Sequence, residues 1–344
     1  VEQNDSEDFE RNLKAANQGD INSQYNLGEM YYRGQGVAQD YSKAFDWYLK
    51  VADQGYAHSQ TMLGEIYYFG KGVPQDYSKA FDWYLKAANQ GYAHSQCNLG
   101  EMYYRGQGVA QDYSKAFDWY LKAANQGDIN SQYSLGVMYY RGQGVTQDYS
   151  KAFDWYLKAA DQGYAHSQTM LGEMYYFGKG VPQDYSKAFD WYLKSANQGD
   201  INSQYSLGVM YYRGQGVAQD YSKAFDWCLK AANQECASSQ YELGEIYYFG
   251  KGAPQVDSKA AEWYVRAAFL DELDRMVAEG RYSWDSESDE EDNTQFKQAT
   301  VQAEDEGIPK DRSKGSDQAI EVEQGFDDTQ MELDDSYEGG KEVL

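Results

Sequence analysis

Cysteine, proline and basic residues are scarce in this chain of 344 residues. The three cysteines, Cys97, Cys228 and Cys236, are too few for a disulfide framework. We interpret them as incidental substitutions, with a Cys228–Cys236 bridge as the alternative. Four prolines argue against a Pro-rich disordered chain. The formal net charge of −25 disfavours nucleic acid and anionic membranes as partners.

Long hydrophobic runs are also missing. No stretch approaches the roughly 18 apolar residues that a membrane-spanning helix needs, so we expect no membrane insertion. No signal-peptide pattern is visible. These two absences favour a cytoplasmic location, although the start at Val1 rather than Met leaves a removed leader open. The oligomeric state stays unknown at this point.

What the chain has in abundance is repetition. Each repeat holds one tryptophan, and tyrosine is heavily used, with 35 copies. A repeat of 36 residues cannot bury its apolar face alone, so neighbouring repeats are expected to stack into a continuous core. Seven repeats follow one another in steps of 36 residues, beginning at Ser23, Ser59, Ser95, Ser131, Ser167, Ser203 and Ser239.

Each repeat reads as two helices. The first is predicted from about Ser23 to Arg33, where Leu27, Met30 and Tyr31 recur at helical spacing. Gly28 recurs inside it in every repeat. Mid-helix glycine costs roughly 0.5–1 kcal/mol against alanine, so its recurrence indicates that two helices touch there.

Turn chemistry separates the two helices. Gly34 and Gly36 end the first helix, since glycine tolerates the left-handed geometry of a helix C-terminus. Asp40 or Ser42 then caps the second. In the second helix, small alanines permit close approach and Trp47 is expected to be buried between layers. This pattern predicts an all-α fold, a right-handed superhelical solenoid of antiparallel helix pairs.

These residues carry a family resemblance that covers about residues 8–270. The chain resembles the Sel-one-like repeat, a relative of the tetratricopeptide repeat, whose members are mostly adaptors in protein complexes. The resemblance therefore implies a protein that binds other proteins. In the second repeat the motif appears as Leu63-Gly64, Tyr67, Gly70, Gly72, Val73, Asp76, Lys79-Ala80, Trp83 and Ala87-Ala88.

Residues suited to catalysis or to metal binding do not form a pattern. His58, His94 and His166 each close a repeat and are interpreted as turn residues, one layer of about 10 Å apart and too distant to share a zinc ion. We expect no metal, no cofactor and no enzyme. Cysteine-rich bacterial relatives linked to β-lactam hydrolysis leave an enzyme as an alternative, but they bridge a Cys pair in most repeats.

Comparison of the seven repeats points to a binding face. With Ser23 as position 1, the first helix varies mainly at positions 3, 4, 7 and 11, which share one helical face opposite the Leu/Met/Tyr stripe. With position 10 added, this face is predicted to line a concave groove that binds partner peptides or helices. Free drift of exposed positions in duplicated blocks is the alternative. The candidate residues are Tyr25, Tyr32, Arg33, Tyr68, Phe69, Tyr104, Arg105, Tyr133, Tyr140, Arg141, Tyr176, Phe177, Tyr205, Tyr212, Arg213, Tyr241, Tyr248 and Phe249.

The chain ends in an acidic segment. Residues 281–344 hold 20 acidic and six basic side chains, a composition typical of disorder. Ser286 and Ser288 precede acidic residues and are candidates for an acidophilic kinase. The predicted organisation is a partial repeat at 1–22, the solenoid with a C-terminal capping helix at 23–280, and a disordered acidic tail at 281–344. Binding of basic partners by the tail is an alternative function.

Overall fold

The structure, a computed structural model, describes residues 2–278, with side chains for residues 5–271 and for Arg275. The predictions for the tail at 281–344 lie outside these residues, and so do the side chains of Leu273 and Val277, which the sequence predicts to continue the apolar stripe of the capping helix. Between residues 2 and 278 the chain forms fifteen helices and no strand. The all-α class is therefore confirmed.

The helices alternate between two kinds. Helices that open a repeat are called A helices, and helices that close it are called B helices. The A helices are α2 (Ile21–Arg33), α4 (Ala57–Phe69), α6 (Ala93–Arg105), α8 (Ile129–Arg141), α10 (Ala165–Phe177), α12 (Ile201–Arg213) and α14 (Ala237–Phe249). The B helices are α1 (Glu2–Asn17), α3 (Tyr41–Ala52), α5 (Tyr77–Asn89), α7 (Tyr113–Ala124), α9 (Tyr149–Asp161), α11 (Tyr185–Ala196), α13 (Tyr221–Ala232) and α15 (Asp257–Ala278).

Two compact units divide the chain, and each is a stack of antiparallel helix pairs. Unit 1 spans residues 1–183 and holds α1 to α10. Unit 2 begins at Asp184 and holds the described helices α11 to α15. In unit 1 each helix packs mainly against the one before it and the one after it, and the same is true of α11 to α15 in unit 2.

Local sequence sets the helix ends. Gly34 ends α2 in the left-handed conformation, with φ of 71°, and its N–H donates to the carbonyl of Met30. The carboxylate of Asp40 accepts from the N–H of Lys43 at 3.0 Å, so Asp40 is the cap of α3. Ser42, the other candidate, instead donates to the carbonyl of Gly72 in the next repeat at 3.0 Å.

In repeats 1 to 5 the buried aromatic of the helix pair is a tyrosine rather than the tryptophan expected from the sequence. Tyr48, next to Trp47 on α3, is fully buried, whereas Trp47 is half-buried. Gly28 is the reason that Tyr48 fits, because a Cβ at Gly28 would stand 2.6 Å from Cε1 of that ring. The predicted contact between two helices at this glycine is thus a contact between a helix backbone and an aromatic ring.

The repeated tryptophans still lie between layers. Trp155 packs on the core formed by repeats 3 and 4, which includes Tyr120 and Met138. Its outer side is covered by Lys158, whose Nζ lies 3.5 Å from the ring centroid. The expectation of a fully buried tryptophan was wrong. One side of the ring packs on the core, and a lysine one turn later covers the other side.

The first and last helices differ from the others. Helix α1 packs through Phe9, whose ring meets Tyr31 edge-on at 5.5 Å, as Phe45 meets Tyr67 one repeat later. Helix α15 runs for 22 residues, whereas most B helices have 12 or 13. The sequence predicted this longer final helix, and Leu270 near its middle is half-buried.

Candidate functional site

Two positions of the predicted binding face lie between helices rather than in an open groove. At position 3, Thr61 and Cys97 are buried, and Tyr25 is half-buried. At position 4, Met62 and Ser134 are buried. Neighbouring A helices approach closely enough that Thr61 Oγ1 and Ser95 Oγ lie 2.6 Å apart. For most repeats the expectation that this part of the face is exposed was wrong, because it packs against the next A helix. Asn26 at position 4 and Tyr241 at position 3 are the exposed members.

Position 7 carries a structural hydrogen-bond centre in most repeats. Glu29 accepts from the buried hydroxyl of Tyr48 at 2.6 Å and from Tyr25 at 3.0 Å, and it pairs with Arg33 at 2.9 Å. Burial, and then the carboxylate of Glu29, raise the pKa of Tyr48 far above its ordinary value. The carboxylate is thus engaged in holding a helix pair together.

Repeat 4 breaks this arrangement. Val137 stands at position 7 and is buried, so the equivalent core tyrosine, Tyr156, faces no carboxylate there. Its hydroxyl is buried without a hydrogen-bond partner among the described residues. Repeat 6 has the same substitution, Val209, but pairs it with Cys228 in place of the tyrosine.

The accessible part of the candidate site is the C-terminal end of each A helix, together with the loop that follows. We call this surface the A-helix rim and define it by positions 10, 11, 13 and 19, which are Tyr32, Arg33, Gln35 and Tyr41 in repeat 1. At position 11, Phe69, Phe177 and Phe249 are 40%, 42% and 53% exposed.

The remaining predicted residues differ in accessibility. Arg33, Arg213, Tyr241 and Tyr248 are exposed, whereas Tyr140 is buried at 8% exposure. The half-buried ones are Tyr25, Tyr32, Tyr68, Tyr104, Arg105, Tyr133, Arg141, Tyr176, Tyr205 and Tyr212. Among the predicted residues, position 11 therefore holds the exposed phenylalanines, whereas position 3 is exposed at Tyr241 alone.

Position 13 bonds to the tyrosine at position 10 of the preceding repeat. Repeats with arginine at position 11, which we call Arg-type, have a glutamine at position 13, and Gln107 accepts from the hydroxyl of Tyr68 at 2.6 Å. Repeats with phenylalanine at position 11, which we call Phe-type, have a lysine at position 13, and Lys71 donates to the hydroxyl of Tyr32 at 3.0 Å. Burial raises the pKa of Tyr32, so its hydroxyl stays protonated near neutral pH. One tyrosine thus serves as donor or acceptor, according to the next repeat.

The lysines at position 13 lie in an aromatic collar. Lys71 Nζ is 5.1 Å from the ring centroid of Tyr32, 5.8 Å from that of Tyr41 and 5.4 Å from that of Phe69. Burial alone would lower the pKa of Lys71, but the hydrogen bond to Tyr32, the nearby phenols and the carboxylate of Glu65 together outweigh burial and raise it. The ammonium group therefore stays charged beside the exposed phenyl ring.

The two rim types explain why positions 11 and 13 vary together. Arg33 and Arg105 each pair with the glutamate one turn earlier on their own helix. No described carboxylate lies within ion-pair distance of Lys71, Lys179 or Lys251. The Phe-type rim thus combines an exposed apolar ring with a cation that forms no ion pair with a described carboxylate. These lysines were not among the residues predicted to bind, although position 13 changes together with position 11 along the sequence.

The histidines lie in the first turn of A helices rather than in turns. His58 Nδ1 lies 3.2 Å from the hydroxyl of Tyr92, and its ring is 4.9 Å from that of Tyr25. His94 Nε2 lies 3.1 Å from Glu65. In the part of the chain that the structure describes, no group of three or more His, Cys, Asp or Glu side chains is arranged to hold a metal ion.

The cysteines are free, and two of them are buried. Cys97 and Cys228 lie in the core, and Cys236 is half-buried at the start of α14. The alternative of a Cys228–Cys236 bridge is therefore not present in this structure. Burial raises the pKa of Cys97 and Cys228 well above the ordinary thiol value. Among the described helices none is long and apolar enough to cross a membrane.

Solved structures of similar proteins share this architecture. A protective antigen of uropathogenic Escherichia coli strains with an SLR fold is 40% identical over 77% of this chain, with a TM-score of 0.74. This chain spans 57% of the length of that antigen. A Sel1 repeat protein from Oxalobacter formigenes is 33% identical, with 78% of this chain and 79% of the other covered and a TM-score of 0.63.

The family model for the Sel1 repeat matches the chain seven times, whereas no curated protein matches it. The matches cover residues 21–56, 57–92, 93–128, 129–164, 165–200, 201–236 and 237–268. Each match contains one A helix followed by one B helix or, in the last, by the first part of α15. The chain belongs to the Sel1 repeat family.

Proposed function

We propose that this protein is a non-catalytic scaffold that binds segments of other proteins on the A-helix rim. The observation that carries the proposal is the exposure of Phe69, Phe177 and Phe249 at one position of the repeat, beside Lys71, Lys179 and Lys251. Aromatic side chains, phenylalanine included, are enriched in the buried cores of protein interfaces relative to the rest of the surface.

Rigid stacking makes these side chains useful for recognition. Within unit 1, Phe69 and Phe177 belong to repeats 2 and 5, so three layers, or about 30 Å, separate them at the usual helix-packing distance. A partner that engages both rings gains from the second contact, because that contact forms at high effective concentration. The role of the repeats is to hold the two phenyl rings at a fixed spacing.

The carboxylates of the same face support a structural role rather than catalysis. Glu29 holds Tyr25, Tyr48 and Arg33, and Glu101 holds Tyr120 and Arg105. A general acid or base needs a free path to a substrate atom, and these groups are already bonded to the protein. The tail as a binder of basic partners stays a separate prediction outside the described residues.

Affinity capture followed by mass spectrometry tests the proposal. The intact chain is compared with a variant that carries Phe69→Ala, Phe177→Ala and Phe249→Ala. Phe269→Ala is the matched control, because Phe269 is 42% exposed but lies on α15, away from the rim. We expect partners that both the intact chain and the control retain but the triple variant loses, with unchanged circular dichroism. Equal capture by all three proteins would contradict the proposal.

A further inference from the structure

The Phe-type rim of unit 2 is the most exposed of the three. Phe249 is 53% exposed and Tyr248, edge-on to it at 5.0 Å, is 42% exposed. Lys251 Nζ lies 5.8 Å from the centroid of Phe249 and 3.3 Å from the hydroxyl of Tyr212. We call Tyr212, Tyr248, Phe249 and Lys251 the unit 2 rim site.

The chemistry of this site selects its occupant. Two exposed rings accept an aromatic or large apolar side chain, which prefers offset or edge-on contact with them. The ammonium group of Lys251 donates a hydrogen bond to Tyr212 and has no carboxylate partner among the described residues, so it attracts a carboxylate. The matching segment therefore has an aromatic residue next to one or more acidic residues. A single cation per site, on an acidic protein, does not suit a nucleic acid backbone.

Such segments occur in this chain itself. After α15, an acidic residue directly follows the aromatic ring at Trp284-Asp285, Phe326-Asp327 and Tyr337-Glu338. Phe326 is followed by two carboxylates, Asp327 and Asp328, and no basic residue lies between positions 315 and 340. This is the part of residues 281–344 that best combines a phenyl ring with concentrated negative charge.

Chain length limits which of these segments can reach the unit 2 rim site. The start of α15 lies beside the end of α14, since the N–H of Val256 donates to the carbonyl of Tyr247 at 3.1 Å. The 22 residues of α15 carry the chain about 33 Å away from that point. From Ala278, the chain to Trp284 spans at most about 20 Å, so Trp284 cannot return to Phe249. The chain to Phe326 can span about 160 Å, which is ample.

We propose that the unit 2 rim site binds segments in which an aromatic residue precedes carboxylates, and that its occupant is Phe326-Asp327-Asp328 of the same chain. The phenyl ring of Phe326 packs on Phe249 and Tyr248, and the carboxylates of Asp327 and Asp328 face Lys251. The inference rests on the proposed binding role of the rim. Covalent connection raises the effective concentration of the segment, so modest intrinsic affinity is sufficient. A partner with a similar segment then competes with the chain's own.

A peptide titration tests this directly. The probe is a fluorescein-labelled peptide of residues 320–334. It is titrated with the full chain and with the full chain carrying Phe326→Ala, Asp327→Asn and Asp328→Asn, whose own segment is disabled. We expect the disabled chain to bind the peptide at least tenfold more tightly than the unmodified chain does. Equal affinity for the two chains, or no binding to either, overturns the inference.

The chain supplies its own control for the site. In the disabled background, Phe249→Arg with Lys251→Gln reproduces the Arg213/Gln215 pair of repeat 6, a combination that this fold already accommodates. We expect peptide affinity to fall at least tenfold while the melting temperature is unchanged. If this exchange leaves peptide binding unchanged, the peptide does not bind at the unit 2 rim site and the inference is overturned. If it abolishes partner capture but the peptide never binds, the inference fails and the proposed function stands.

Discussion

Gly100 lies directly against the ring of Tyr120, so that a Cβ added at Gly100 would stand 2.6 Å from Cδ1 of that ring. The same contact joins A and B helices at Gly28, Gly64, Gly136 and Gly244. A rigid buried ring thus lies where the glycine leaves space, and this contact sets how closely the two helices of a repeat approach.

Gly100→Ala is therefore expected to destabilise the protein, although alanine is the better helix former. Overpacking of this kind costs about 1–3 kcal/mol. Gly208→Ala is the internal comparison, because its Cβ would meet the Sγ of Cys228, which can rotate away, rather than a ring. Urea unfolding should show the larger loss for Gly100→Ala. A loss at Gly208 equal to or above that at Gly100 would contradict the packing account.

The core tyrosines provide a second test. Tyr120 donates to Glu101 at 2.6 Å, whereas the hydroxyl of Tyr156 has no partner among the described residues. Tyr120→Phe should cost about 1.5–3 kcal/mol, because it removes a hydrogen bond to a charged group. Tyr156→Phe should be neutral or stabilising, since it removes a buried unpaired hydroxyl. Paired chemical unfolding curves would measure the difference, and a larger loss for Tyr156→Phe would refute it.

Acid stability is expected to depend on the B-helix caps. The hydrogen bond from the N–H of Lys79 lowers the pKa of Asp76 from its ordinary value of 3.8, and Asp112 and Asp148 are similarly lowered by Lys115 and Lys151. Because the folded pKa is depressed, the caps stabilise the protein above pH 3.8, and this contribution is lost as pH falls through the lowered values.

Thermal melts between pH 6 and pH 3 would measure this loss. A variant with Asp76→Asn, Asp112→Asn and Asp148→Asn is the control, since asparagine caps a helix about as well as aspartate but does not titrate. Its melting temperature should fall less steeply below pH 4 than that of the unmodified protein. Parallel melting profiles would show that these caps do not cause the acid sensitivity.

Thiol reactivity is expected to separate the three cysteines. Cys97 and Cys228 are buried with raised pKa values, so little thiolate forms. Cys236 is half-buried. In the folded protein a thiol reagent should therefore label Cys236 first, and the other two should react only after unfolding. Rapid labelling of Cys97 in the native state would show that repeats 3 and 4 open readily.

The sequence predicts the repeat architecture well because the period and the glycines are local signals. The 36-residue step is visible as direct repetition, and Gly34 as the end of α2 follows from residue chemistry within one turn. For the cap of α3 the sequence left Asp40 and Ser42 open, and the structure selects Asp40. The choice between Trp47 and Tyr48 as the buried ring does not follow, since both are adjacent aromatic residues on the same helix. That choice depends on which ring faces Gly28 across the helix pair.

The binding face is predicted only in part for a similar reason. Helical periodicity places positions 3, 4, 7 and 11 on one side of a helix, but it does not show how near the next A helix lies. The contact between Thr61 and Ser95 closes the first part of that side. The joint variation of positions 11 and 13 was visible in the sequence, yet only the contact of Lys71 with Tyr32 and Phe69 explains it.

The central claim, that the Phe-type rims bind partner proteins, is tested most directly by exchanging all three for the Arg-type rim. The variant carries Phe69→Arg, Lys71→Gln, Phe177→Arg, Lys179→Gln, Phe249→Arg and Lys251→Gln, and it copies the pairing found in repeats 1, 3, 4 and 6. Quantitative mass spectrometry of captured proteins should show partner recovery at least tenfold below that of the intact chain, at an unchanged melting temperature. Undiminished recovery by a fully folded variant would contradict the claim.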